Sequence, residues 1–276
     1  MSNSVIAACV QVCAGPEITP NLERTEALIR DAAARGAQLI VLPENVSLMI
    51  QGRDNLFARV ACAAEHPAIA FFRRMARETQ AWIVGGSIGV HVGDDRLANR
   101  SYLFDPSGAI VTFYDKLHMF DADLSDEESY RESHNYRPGD QMVVAATPWG
   151  PLGLTICYDL RFPQLYRALG KAGASIITVS AAFAATTGQA HWHVLLRARA
   201  IETGAFILAS AQCGEHDGGR RTYGHSMIVT PWGAILAEAG EDPCVITATL
   251  ALDQVAETRR KLPSLQHDRD FTRSDS

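Results

Sequence analysis

The chain has 276 residues, 47% of them hydrophobic and 20% charged, with a formal net charge of −6. That length and apolar content suit one large α/β unit with a sizeable core. The negative balance argues against nucleic acid or an anionic membrane surface as a partner. No run of about 18 apolar residues is present to span a bilayer. The start, Met1-Ser2-Asn3-Ser4, passes straight into an apolar segment, so no secretory leader is expected. Six cysteines, Cys9, Cys13, Cys62, Cys157, Cys213 and Cys244, are scattered without a C-x-x-C pair. That usage favours reduced thiols and a cytoplasmic protein over a zinc ribbon.

In chain order, short β-rich apolar runs alternate with helical patterns. Residues 5–11 read as a strand. Asn21 is expected to cap a helix whose Leu28, Ile29, Ala32 and Ala33 recur at helical spacing. A buried strand at 39–42 is stopped by Pro43. A helix over 66–78 turns Phe71, Phe72 and Met75 inward and precedes a strand at 82–87. A hairpin follows, with strands 101–104 and 109–114 around Asp105-Pro106-Ser107-Gly108. The second half repeats this order: strand 152–156, helix 163–171, strand 175–179, helix 189–202 and strand 206–210. A second hairpin pairs 225–229 with 234–238 through Thr230-Pro231-Trp232-Gly233. Even the turns read alike, P-S-G-A-I against P-W-G-A-I. Two such halves predict an α/β fold of four layers, α-β-β-α, with an internal pseudo-twofold. One domain is expected over residues 1–260. The polar, aperiodic tail of 261–276 is expected to fray or to dock on a partner subunit.

The run L-T-I-C-Y-D-L-R-F-P, residues 154–163, carries the most chemical information. A buried strand ends at Cys157, and a proline-containing turn leads into a helix. Such an arrangement presents a nucleophile beside free backbone N–H groups, which can stabilise the oxyanion formed when a thiolate attacks a C=O or C≡N carbon. A thiol of ordinary acidity is mostly protonated at neutral pH and needs a base. His118, His191, His193 and His225 are available, yet none has a local setting that marks it as one. Glu44 directly follows the strand ending at Pro43, and Lys116 lies just past residues 111–114. At the strand ends of one sheet edge, carboxylate, ammonium and thiol would supply base, charge stabiliser and nucleophile. Taken singly, each has a plainer reading: a solvated carboxylate, a surface lysine, a small core cysteine. His191 and His193 lack Cys, Asp or Glu at ligand spacing, so no metal is expected, nor any other cofactor. Arg161, four residues beyond Cys157, suits either bidentate capture of a carboxylate or a surface salt bridge. Arg197 and Arg199 read as structural ion-pair partners or as part of a subunit interface.

With these motifs the chain resembles the nitrilase superfamily of carbon–nitrogen hydrolases over nearly its whole length. The resemblance rests on V-L-P-E-N around Glu44, Y-D-K-L-H-M-F-D around Lys116, the run around Cys157, and R-E-S-H-N-Y-R-P-G-D around Glu132. It implies Glu44 as general base and Cys157 as nucleophile. Lys116 and the N–H of Tyr158 would stabilise the oxyanion, and Glu132 would position Lys116 or the attacking water. Residues 186–203 resemble the branch containing deaminated glutathione amidase and omega-amidase, and residues 211–233 and 259–267 resemble the former more closely. That branch implies a thiol-dependent amidase for a small α-keto acid amide, deaminated glutathione first, working through a cysteine thioester and releasing ammonia or an amine. It also implies Arg161 on a substrate carboxylate, with Phe183 and Thr187 lining the pocket, and a homodimer or higher homo-oligomer. Residues 181–185, A-A-F-A-A, depart from the family in a loop near the substrate. The alternatives are an omega-amidase acting on α-ketoglutaramate, an N-carbamoyl amino-acid hydrolase and, least supported, a true nitrilase. A non-catalytic binding protein of the same fold is a different class, and intact Glu44, Lys116 and Cys157 argue against it.

Overall fold

The computed structural model describes residues 3–93, 95–126, 128–272 and 274. Its first half runs β1 (Ser4–Gln11), α1 (Ile18–Ala34), β2 (Leu39–Val41), α2 (Arg53–Arg59), α3 (Pro67–Thr79), β3 (Trp82–Val84), β4 (Ile88–His91), β5 (Leu97–Phe104) and β6 (Ile110–Asp115). A short ribbon of β7 (Asp121–Asp123) and β8 (Ser129–Arg131) follows, then β9 (Tyr136–Arg137). The second half runs β10 (Val143–Thr147), β11 (Gly150–Ile156), α4 (Pro163–Lys171), β12 (Ile176–Ala181), α5 (Ala185–Thr203) and β13 (Phe206–Ala211). It ends with β14 (Cys213–Glu215), β15 (Arg221–Tyr223), β16 (Met227–Val229), β17 (Ile235–Glu238), β18 (Cys244–Ala251) and α6 (Asp253–Lys261).

One sheet is ordered β18-β1-β2-β3-β5-β4, with β6 and β9 also on β5; the other is β10-β11-β12-β13-β16-β17. Each is built around three parallel strands, β1-β2-β3 and β11-β12-β13, because helical crossovers join them. Antiparallel strands flank each trio: β18 and β5 in one sheet, β10 and β16 in the other. This is the duplication expected from the sequence. The two-residue period of a strand sorts side chains between layers. Val5, Ala7 and Cys9 of β1, with Leu39 and Val41 of β2, share a core with Leu154, Ile156 and Leu208 of the other sheet. Their neighbours Ala8, Val10, Ile40 and Leu42 instead meet Leu22, Ile29, Phe72 and Met75 of α1 and α3.

Several expectations change. Asn21 is not a cap: α1 begins three residues earlier, after Glu17. Its buried amide instead holds Gly15 through N–H and C=O at 2.8 Å each and donates to the Ser47 carbonyl at 2.9 Å, pinning two loops. The expected strand at 82–87 ends early, as β3 at Val84, because the chain turns at Gly86, whose φ is +63° and which has no room for a Cβ beside the Pro43 carbonyl; β4 begins only at Ile88. Helix α5 starts at Ala185, ahead of the expected Gln189. Beyond α6, residues Ser264–Gln266 form a single 3-10 turn. Arg167 of α4 donates to the Ser264 carbonyl at 2.8 Å, and Arg167 and Lys171 pair with Asp268. This part of the tail therefore docks on its own chain.

Candidate active site

Four chain segments converge past the ends of strands. Glu44 follows β2, Lys116 follows β6, Glu132 follows β8 and Cys157 follows β11. Cys157 opens a 3-10 turn, Cys157–Arg161, with φ +47°, a left-handed conformation that side-chain-bearing residues rarely adopt. Asp159, wholly buried, holds this turn. Its Oδ2 accepts from the Ile156 N–H at 2.9 Å and from the Tyr114 hydroxyl at 2.7 Å. Its Oδ1 accepts from the His118 N–H at 3.1 Å and lies 2.7 Å from His118 Nδ1. His118 is thus a support for the Cys157 turn, stacked on Phe162.

The carboxylates and the ammonium form one network. Glu44 Oε1 accepts from Lys116 Nζ at 2.8 Å and from Asn99 Nδ2 at 2.9 Å, while Oε2 accepts from the Ala182 N–H at 3.0 Å. Lys116 Nζ also donates to both Glu132 oxygens, at 2.9 and 2.7 Å. Glu132 in turn accepts from the Phe120 N–H at 2.6 Å and from Asn99 at 3.1 Å. Asn99, which bridges the two carboxylates from the middle of β5, was not among the residues singled out from the sequence. Its neighbours in β5, Arg100 and Ser101, are polar as well, so nothing in the sequence set this amide apart.

Burial sets the electrostatics. It disfavours ionised Glu44, but the Lys116 ammonium and a hydrogen bond from the Cys157 thiol outweigh it and hold this carboxyl below its ordinary range. Burial also disfavours charged Lys116, yet the Glu132 and Glu44 carboxylates keep it protonated well above its ordinary value. Burial and the Glu44 charge push the Cys157 thiol up, against the pull of Lys116. The resting pair is therefore a thiol beside a carboxylate. Such a pair can transfer the thiol proton to Glu44 as an electrophile arrives.

A cavity of about 400 Å³ opens onto this network, with Glu44, Lys116, Glu132, Cys157, Tyr130 and Arg220 in its wall. Arg161, Phe183 and Thr187 do come together beside Cys157, but they line a separate small pocket of about 10 Å³. The Arg161 guanidinium sits 5.0 Å from the Phe183 ring and 5.9 Å from that of Tyr158, and Nη1 lies 3.2 Å from His191 Nδ1. Tyr158 follows the thiol directly, its ring 5.0 Å from that of Phe120. Sequence reasoning missed Arg220, which sits in a polar loop and reaches the cavity only through tertiary folding.

His193 does have a carboxylate partner: its Nε2 lies 2.8 Å from Glu238 Oε1, and His225 Nδ1 lies 3.0 Å from the same oxygen. Potential ligand atoms of all three lie within 4.8 Å of one another. The grouping was invisible in the sequence because β17 supplies the carboxylate. Arg199 is a structural partner, bonded to Glu202 at 3.0 Å and to the Leu160 carbonyl at 2.9 Å.

Comparison with known proteins places the chain in a family. Residues 6–260 match the carbon–nitrogen hydrolase family. The chain is 41% identical to a deaminated glutathione amidase from Yersinia enterocolitica, covering 98% of this chain and 94% of that one. It is 33% identical to an omega-amidase from Xenopus tropicalis, covering 92% and 91% respectively. Among solved structures, Nit3 of Saccharomyces cerevisiae, a member of the nitrilase superfamily, superposes with a TM-score of 0.87 at 29% identity, covering 97% of each chain.

Proposed function

The chain belongs to the carbon–nitrogen hydrolase family, and on that premise we propose that it is a thiol-dependent amidase for a small α-keto acid amide, deaminated glutathione first. The observation carrying this reading is the convergence of the Cys157 thiol, the Glu44 carboxylate and the Lys116 ammonium on one cavity. In the proposed reaction, Glu44 takes the thiol proton as Sγ bonds to the amide carbon. Lys116 and the Tyr158 N–H hold the resulting oxyanion. Collapse breaks the C–N bond, and Glu44 returns the proton to the departing amine, leaving a thioester. Glu44 then draws a proton from water as its oxygen attacks the thioester carbon. The second tetrahedral species expels the Cys157 thiolate, which recovers its proton, and the acid departs. Glu132, fixed by Phe120 and Asn99, orients Lys116 through both oxygens.

Arg161, Phe183 and Thr187 are assigned to substrate binding, supported by their assembly beside Cys157. The proposal takes residues 1–260 as one domain, with 261–276 as a tail, in a cytoplasmic protein. A homodimer is supported by exposed Val194 and Ile201 on α5, beside exposed Trp232 and Leu236 of the second hairpin. The test is product formation from deaminated glutathione, α-ketoglutaramate, an N-carbamoyl amino acid and a simple nitrile, each beside Cys157→Ala. Thiol-dependent turnover favouring deaminated glutathione is expected. Preference for α-ketoglutaramate would move the chain to omega-amidase, and thiol-independent turnover or none would remove the assignment.

A further inference from the structure

Arg220 is the unassigned cation in the cavity wall, and its surroundings are built for it. Its Nη2 donates to the Ala182 carbonyl at 2.9 Å, and its guanidinium stands 5.3 Å from the Tyr130 ring. The peptide of Ala182 thus touches Arg220 through its C=O and Glu44 through its N–H. The loop carrying Arg220 is held firmly. Buried His216 lies between the Ala14 carbonyl at 2.8 Å and Thr222 Oγ1 at 2.7 Å. Asp217 accepts from the Gln51 N–H at 2.9 Å, and Gly218 takes a left-handed φ of +73° against the Gln51 side chain. Even so, Arg220 Nε is buried without a hydrogen-bond partner, and no carboxylate pairs with Arg220 among the described residues. A buried donor without an acceptor is costly and rare in a finished site. The other cations in this wall are occupied: Lys116 by Glu44 and Glu132, and Arg131 by Asp123 at 2.7 Å.

We propose that Arg220 is an anion subsite of the large cavity that binds a carboxylate on the leaving amine, making this enzyme selective for amides that carry an anion on both sides of the scissile bond. The inference rests on the amidase reading of the same site. A planar guanidinium with a free Nε–H suits a carboxylate, and a cavity of about 400 Å³ has room for a leaving group far larger than ammonia. Arg161, in the small pocket across from the same thiol, leaves the acyl end its own cation. Deaminated glutathione, whose cleaved dipeptide ends in a carboxylate, is of this class; α-ketoglutaramate, whose leaving group is ammonia, is not.

The experiment compares kcat/KM for deaminated glutathione and for the same molecule with its terminal carboxylate converted to a carboxamide. The wild-type enzyme should favour the carboxylate form by roughly 10- to 100-fold, chiefly through KM. Arg220→Gln should bring that ratio to within about twofold of unity, and Arg220→Lys should restore part of it as a point charge without the fork. A wild-type enzyme indifferent to the carboxamide, or an Arg220→Gln enzyme that keeps the preference, would overturn the assignment while leaving the amidase reading intact. Absence of thiol-dependent turnover would instead sink the amidase reading. Calorimetric titration of Cys157→Ala with the same two compounds then decides on Arg220: tighter carboxylate binding that Arg220→Gln abolishes supports the subsite, and equal binding refutes it.

Discussion

Replacing Lys116 by methionine removes the one ammonium between two carboxylates while keeping most of the side chain's length and apolar bulk. Glu44 and Glu132, which the lysine joins at 2.7 to 2.9 Å, would then face each other around Asn99 with no cation bonded to either. Breaking a buried pair by removing one partner costs about 3–5 kcal/mol. For a chain of this size that is a fall in Tm of roughly 6–10 °C. The sign of the pH dependence should change as well. In the wild type, Glu44 ionises below its ordinary range, so its contribution is present above the unfolded value and is lost as pH falls through the folded one. Lys116, held above its ordinary value, contributes below that value and loses its contribution only in strong alkali. Without the ammonium, burial dominates and raises the carboxyl above its unfolded value. Relative to the wild type, Lys116→Met should therefore gain stability on acidification from about pH 8 to about pH 5. Thermal melts across that range read both effects. A Tm within about 2 °C of wild type at every pH, so that the two profiles run parallel, would refute the network as described.

Other outcomes follow from the same contacts. Asp159→Ala strands the Ile156 N–H and the Tyr114 hydroxyl, so it should cost about 2–5 kcal/mol in denaturant melts and lower kcat through the displaced Cys157 turn. Activity should hold a plateau down to pH values below the ordinary carboxylate range, because Glu44 must be ionised and is held low; a pH–rate profile with its acid limb near neutrality would contradict this. Gly188→Ala places a Cβ 2.3 Å from that of Tyr223, which should cost about 1–3 kcal/mol by thermal melt and disturb neighbouring Thr187. Asn99→Leu should keep the fold's strand pairing but reduce kcat/KM, since both carboxylates lose a shared donor; unchanged kinetics would show the bridge to be incidental.

The legible parts of this molecule are those written locally. Cys157 and Glu44 each end an apolar run with a reactive side chain, and the duplicated hairpins announce two similar halves. What escaped is tertiary. β18 is half exposed and finds its partner in β1 at the other end of the chain, so its own pattern says little. Asn99 and Arg220 look like an ordinary strand amide and an ordinary loop cation until folding brings them to Glu44 and Cys157. A capping asparagine reaches forward along its helix, whereas Asn21 reaches sideways to two loops, a difference its local sequence does not carry. His193 looked solitary because Glu238 arrives from another strand.

The most direct test of the central claim is the intact mass of the protein quenched in acid during turnover of an α-keto acid amide, with the adduct located by peptide mapping. The account predicts an acyl group on Cys157 alone, absent from Cys157→Ala and depleted in Glu44→Gln. An enzyme that turns over the amide with no adduct at any time, and that keeps its rate in Cys157→Ala, would contradict it.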